Sequence, residues 1–188
     1  MLGLLVLGMA FSEGSANDWL AIGLRDGYDL SHAAGAAGFG AFVTAMTVGR
    51  MAGHWMLAHY GRVRSLRAGA LAVLAGVLAV GLGTFLPDDA RTVAIALALV
   101  GAIVWGWGAA LGFTVGMSAA GDEPARAAAR VSVVATIGYT AFIAGPPLLG
   151  LLGDHYGTAR ALLAVTGAVL LSFVAAAWAA EPDEDPGS

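Results

Sequence analysis

The fold class this sequence predicts is an all-α integral membrane protein with six transmembrane helices, and three observations predict it. Six apolar stretches fill nearly all of the 188 residues. Each is about as long as a bilayer-crossing helix, which takes roughly 20 predominantly apolar residues at about 1.5 Å rise apiece. Hydrophobic residues make up 59% of the chain and charged residues 12%, with a mean hydropathy of +0.79. A soluble domain carries about a quarter charged residues. Helices follow rather than barrel strands, because backbone groups in lipid must bond within their own segment. The stretches are also too long and too continuously apolar for strands of roughly 10 alternating residues.

Taken in order, span one runs from about Leu2 to Leu24 and ends at Arg25-Asp26-Gly27. Its apolar start resembles a secretory signal peptide, but the positively charged n-region is missing and apolar character resumes at Trp19-Leu20-Ala21-Ile22. Span two covers about Ala33 to Leu57 and stops at the loop holding Gly61-Arg62. Span three, about Leu66 to Phe85, stops at Pro87-Asp88-Asp89, and span four, about Thr92 to Met117, stops at Gly121-Asp122-Glu123-Pro124. Span five, about Ala127 to Leu152, ends at Gly153-Asp154-His155, and Gly145-Pro146-Pro147 is expected to kink it. Span six covers about Ala159 to Ala180, followed by an acidic cytoplasmic tail over 181–188.

Composition narrows the chemistry. The chain has no cysteine, which excludes disulfides, thiolate metal sites and thiol nucleophiles. All nine basic residues are arginine, so lysine-dependent phosphate or Schiff-base chemistry is excluded too. There is no basic nucleic-acid face, no zinc motif and no Gly-x-Ser-x-Gly elbow. His32, His54, His59 and His155 sit in loops or at span ends and make no metal site. No cofactor is implied. The positive-inside rule sets orientation. Arg50, Arg62, Arg64, Arg67, Arg126 and Arg130 fall on the side of the two termini, against Arg25, Arg91 and Arg160 on the other. Both termini are therefore expected in the cytoplasm, with the protein multi-pass in the cell (inner) membrane.

An internal repeat stands at an offset of 96 residues: His59-Tyr60-Gly61 with Arg64 returns as His155-Tyr156-Gly157 with Arg160. The two copies follow spans two and five, three helices apart and so on opposite sides. That predicts two inverted three-helix repeats, about 1–86 and 91–180, within a single bundle over 1–188, as in many secondary transporters.

Four stretches carry a family resemblance over essentially the whole chain. Gly49-Arg50-Met51-Ala52-Gly53 through Tyr60-Gly61-Arg62-Val63-Arg64 resembles the conserved cytoplasmic loop motif of the major facilitator superfamily. Glu13-Gly14-Ser15-Ala16-Asn17-Asp18-Trp19 resembles the start of that family's second bundle in sugar-porter-like and uncharacterised bacterial members, and Gly145-Pro146-Pro147-Leu148-Leu149-Gly150 its penultimate helix. The six-span plan with both ends inside is similar to one such bundle. The resemblance implies the C-terminal half of a secondary active transporter that moves a small solute by alternating access. It also implies gating contacts from Arg50, Arg62 and Arg64 in the cytoplasmic loop. Where the motif has aspartate and a basic residue, this chain has Ala58 and His59. A complete member has twelve spans, so a truncated or split product is expected, with a missing N-terminal bundle or a second copy as partner.

Five residues are candidates for substrate or proton binding. Glu13 lies near the middle of span one, where an acid costs roughly 2.5–3.5 kcal/mol to insert and is functional by default; a structural hydrogen bond is the alternative. Asn17 follows at i+4 on the same face. Thr136 and Tyr139 belong to a polar stripe on span five with Ser132 and Thr140, which either lines a cavity or bonds neighbouring helices. Trp107 can stack on a solute or pack within the bundle, and Gly108, Gly112 and Gly116 form a close-packing ridge beside it. The competing reading of the whole chain is a non-transporting membrane scaffold or an inactive fragment.

Overall fold

A computed structural model describes residues 1–180 of the chain, and the acidic tail expected over 181–188 lies outside them. The described residues form helices and connecting turns, with no strand. In chain order the helices are α1 (Leu2–Gly27), α2 (His32–Leu82), α3 (Arg91–Ala109), α4 (Gly112–Ala120), α5 (Ala127–Tyr156), α6 (Thr158–Ala161) and α7 (Val165–Ala175). Four segments are long and apolar enough to cross a membrane: His32–Phe85, Asp88–Ala120, Pro124–Tyr156 and Thr158–Ala179. The chain is an α-helical, multi-pass membrane protein. Helix α1 is long enough to cross but is not among the four, because Glu13, Asn17 and Asp18 dilute its apolar content.

The longest segment departs from expectation. Spans two and three are not parted by a loop; α2 runs through both and is broken only at Gly61, with φ 73° and ψ 167°. This makes two arms, 32–60 and 62–82, and moves Arg62 and Arg64 from a loop into the opening turn of the second arm. A single glycine suffices because that backbone region is open almost only to glycine. Gly157, 96 residues on, breaks the chain in a similar conformation, φ 85° and ψ 144°. The histidine two residues before each break caps the preceding turn in the same way. His59 Nδ1 lies 2.9 Å from the Trp55 carbonyl, and His155 Nδ1 lies 2.8 Å from the Leu151 carbonyl.

Close approaches at glycine give the direction of each neighbour. Gly35 lies against Ala21 while Arg50 reaches Glu13, so the first arm of α2 runs antiparallel to α1. Ile137 meets Gly3 and Trp19 meets Gly150, which makes α5 parallel to α1. Gly8 lies against Ala168 and Ser172 while Gly23 lies against Leu162, which makes the last segment antiparallel. The second arm of α2 is antiparallel to α3 through Gly69 on Gly108 and Gly76 on Gly101. In these last pairs an added Cβ would fall 2.5–2.8 Å from facing backbone oxygen. Small residues here do what they do in membrane bundles generally, bringing backbones into contact where no hydrophobic effect separates helix from lipid.

The ridge Gly108, Gly112 and Gly116 is divided between two partners. Gly108 meets the second arm of α2, whereas Gly112 meets Met9 and Gly116 meets Val6 of α1. The division follows from a break in span four at Ala110–Leu111, between α3 and α4. All three glycines are therefore occupied inside the bundle. Helix α5 runs through Pro146–Pro147 without interruption.

Candidate functional site

Glu13 is not alone at mid-helix. It stands 11 residues from the start of α1 and 14 from its end, about 17 and 21 Å along the axis. From the antiparallel first arm of α2, Arg50 reaches across, and its Nη2 donates to Glu13 Oε1 at 2.8 Å. The Glu13 side chain is 14% exposed and that of Arg50 is 42% exposed. Arg50 Nε also donates to the Ala110 carbonyl at 3.4 Å, in the break between α3 and α4. One arginine thus ties three elements together: α1 by charge, its own helix by covalent bonds, and the interrupted span four by a backbone oxygen. The irregularity is small, since Ala110 and Leu111 both keep right-handed helical angles.

Arg50 therefore lies away from the cytoplasmic loop that its motif position suggests. It sits eleven residues before the Gly61 break, within the first arm of α2. Arg62 pairs instead with Asp122, in the turn after α4. Arg64 is exposed at the start of the second arm.

The other candidates distribute unevenly around the pair. Asn17 is exposed one turn beyond Glu13 on α1. Tyr139 is 59% exposed and its ring lies 6.3 Å from that of Phe113. Phe113 lies 6.0 Å from Phe142, whose ring covers Gly14 beside Glu13. Tyr139 is thus joined to the Glu13 turn through two phenylalanines. Thr136 is exposed as well, but its hydroxyl donates to the Ser132 carbonyl at 2.9 Å within its own helix. Trp107 lines a crevice of about 90 Å³ with Gly49, Met56, Ser65, Gly69 and Leu111, and its backbone packs on Gly49, next to Arg50.

The tryptophan that does reach α1 is Trp105. It is fully buried, edge-on to Phe42 with ring centroids 5.8 Å apart, and its indole N–H donates to Ser12 Oγ at 2.8 Å. Ser12 precedes Glu13, so Trp105 fixes the turn that carries the acid. Sequence reasoning missed it, since Trp105 and Trp107 are equivalent until the register of α3 is known. By contrast, the Trp19 indole N–H is buried with no hydrogen-bond partner among the described residues.

At the far end of the bundle a second cluster holds the α1–α2 turn. The Tyr28 hydroxyl donates to the Val80 carbonyl at 2.5 Å, and Arg91 donates to the Tyr28 and Asp29 carbonyls at 3.2 Å. Burial pushes the Tyr28 phenol up to about 12.

Two known proteins resemble the chain. It is 30% identical over 156 residues, 81% of its length, to an uncharacterized MFS-type transporter of Yersinia pestis. It is 28% identical over 155 residues, 82% of its length, to an uncharacterized transporter of Sinorhizobium fredii. The chain spans only 38% and 39% of the length of these relatives. No family model matches it, and no solved structure matches it significantly. By similarity over four fifths of its residues, the chain is a relative of transporters of the major facilitator superfamily.

Proposed function

We propose that this chain is the C-terminal bundle of a proton-coupled secondary transporter, with Glu13 as the proton-carrying group and Arg50 as its partner. The observation that carries this reading is the placement of the pair. Arg50 is two-fifths uncovered by protein at a depth where a charge facing hydrocarbon costs roughly 2.5–3.5 kcal/mol. An uncovered arginine at that depth is best accommodated by a watery cavity, and a cavity at mid-membrane between bundles is where alternating-access carriers hold solute.

The bundle itself we read as six spans in two inverted triplets. The alternating directions of α1, the two arms of α2, α3 with α4, α5, and α6 with α7 support it, as do the matched breaks at Gly61 and Gly157. Both termini lie in the cytoplasm in this reading, and the membrane is the inner membrane. A second six-helix bundle, from another chain or a second copy, closes the cavity; the relatives' greater length supports this. The scaffold reading loses its main support, because the glycine ridge that would bind other helices is filled from within.

The test is solute-driven proton movement. Proteoliposomes holding the chain, alone and with a partner bundle of the same family, are loaded with a pH-sensitive dye and challenged with sugars, organic acids and amino acids. The reading expects at least one solute to carry protons inward, and expects Glu13→Gln to abolish the proton signal. A pH response unchanged in Glu13→Gln would refute the role of Glu13.

A further inference from the structure

We infer that the solute is an organic anion, a carboxylate on an apolar or aromatic body, and that it competes with Glu13 for Arg50. This rests on the transport reading above and deepens it.

The argument starts from the balance of charges around the pair. Helices α4 and α7 carry no ionisable residue, and α3 carries only Arg91 at its opposite end. On α5, Tyr139 is exposed against Phe113, and Arg130, Asp154, His155 and Tyr156 lie near the helix ends; Arg160 lies on α6. On α2, His54 is exposed one turn beyond Arg50, and on α1 Asp18 is exposed five residues beyond Glu13. One cation and one anion therefore face each other, with one arginine edge engaged by Glu13 and Ala110. A planar guanidinium offers five N–H donors in a fork that matches a carboxylate, and part of this fork remains uncovered. An incoming carboxylate can take the place of Glu13 without leaving Arg50 unpaired. A neutral solute carries no charge to replace that of the acid, and a cation would have to displace Arg50 from a carboxylate that is only 14% exposed.

The body of the solute follows from the aromatic run. Phe113 stands one turn beyond Ala110, the Arg50 acceptor, and links Phe142 and Tyr139. Rings joined in this way to the turn that carries Glu13 suit an apolar or aromatic group attached to the carboxylate.

The cycle balances. The solute carboxylate pairs with Arg50, Glu13 is released and takes one proton from the open side, and one anion and one proton then cross together without net charge. On the other side Glu13 loses its proton, pairs again with Arg50, and expels the solute.

The experiment uses the purified full chain in detergent, titrated calorimetrically with benzoate, its neutral amide benzamide, and benzylamine. Buffers of differing ionisation heat report protons taken up. The expected result is benzoate binding at least tenfold tighter than either analogue, with one proton gained per benzoate. Proton linkage then tightens binding about tenfold per unit fall in pH while Glu13 is ionised. Arg50→Gln should lose benzoate binding, and Glu13→Gln should bind benzoate with the pH dependence gone. Should Arg50→Gln not fold, Glu13→Gln carries the test, since it keeps Arg50 and must lose the linked proton.

Benzoate binding no tighter than benzamide by a folded chain, binding that survives Arg50→Gln, or binding without proton uptake would each overturn the inference. Proton movement driven by a neutral sugar and not by benzoate would remove the anion assignment and leave transport standing. Benzoate binding with no proton movement by any solute would do the reverse.

Discussion

Removing the Glu13–Arg50 pair one partner at a time should cost more than removing it whole. The pair is a single charge-assisted hydrogen bond of 2.8 Å, a class contributing about 1.5–3 kcal/mol. With the Arg50 side chain 42% exposed, screening places the value toward the low end. Glu13→Gln keeps an amide oxygen that can accept from Arg50 but removes the carboxylate's charge, leaving the guanidinium with neutral acceptors only, this amide and the Ala110 carbonyl, so a loss of about 2 kcal/mol is expected. Arg50→Gln strands a more enclosed carboxylate and should lose somewhat more. At about 2–4 °C per kcal/mol for a chain of this size, the single changes should lower the melting temperature by about 4–8 °C. The double change should recover about 1.5 kcal/mol relative to the sum, the coupling expected of residues in direct contact. Thermal unfolding in detergent, followed by tryptophan fluorescence, measures all four proteins. Losses that simply add would refute the pairing.

Three further outcomes follow from the same contacts. Gly61→Ala and Gly157→Ala should each destabilise by about 1–2 kcal/mol through backbone strain alone, since no atom lies within 4 Å of either added Cβ; equal losses in paired melts would check this. Trp105→Phe should cost about 1–2 kcal/mol by stripping Ser12 of its donor, whereas Trp19→Phe removes an unpaired buried N–H and should be neutral or stabilising in the same melts. Tyr28 should make stability fall as pH climbs from 10 to about 12: the folded phenol keeps its proton to higher pH than the unfolded one, so the folded state binds more protons in that window. Tyr28→Phe should abolish that slope in pH-dependent melts.

The all-helical, membrane-spanning character is legible in the sequence because long apolar runs in lipid can only be helices, whereas the joining of two expected spans into α2 across Gly61 is not. The acid in α1 is legible too, since a charge within an apolar run is conspicuous wherever the helix faces. What it pairs with is not. Arg50 is 37 positions away on another helix, and its place in a loop motif directs attention to the cytoplasmic end rather than to the middle of the first α2 arm. Nothing local distinguishes Trp105 from Trp107 either; the two differ by about 200° around α3, and only the packing of Phe42 on Gly106 shows which one turns inward. The break at Ala110–Leu111 has no proline or polar residue to announce it. The His-Tyr-Gly repeat, in contrast, marks both chain breaks at Gly61 and Gly157, because positive φ with extended ψ is a demand that glycine meets and sequence displays.

Side-by-side labelling of single cysteines tests the arrangement on which the proposed mid-membrane site depends, and the chain has no native cysteine to interfere. Tyr60→Cys, Asp88→Cys, Ala125→Cys and Tyr156→Cys all replace exposed residues at helix junctions. A membrane-impermeant maleimide should label positions 88 and 156 in intact cells and positions 60 and 125 only after lysis. Labelling of 60 and 88 from the same side would mean that the second arm of α2 does not cross, and Glu13 and Arg50 would lose their place at the centre of a transport bundle.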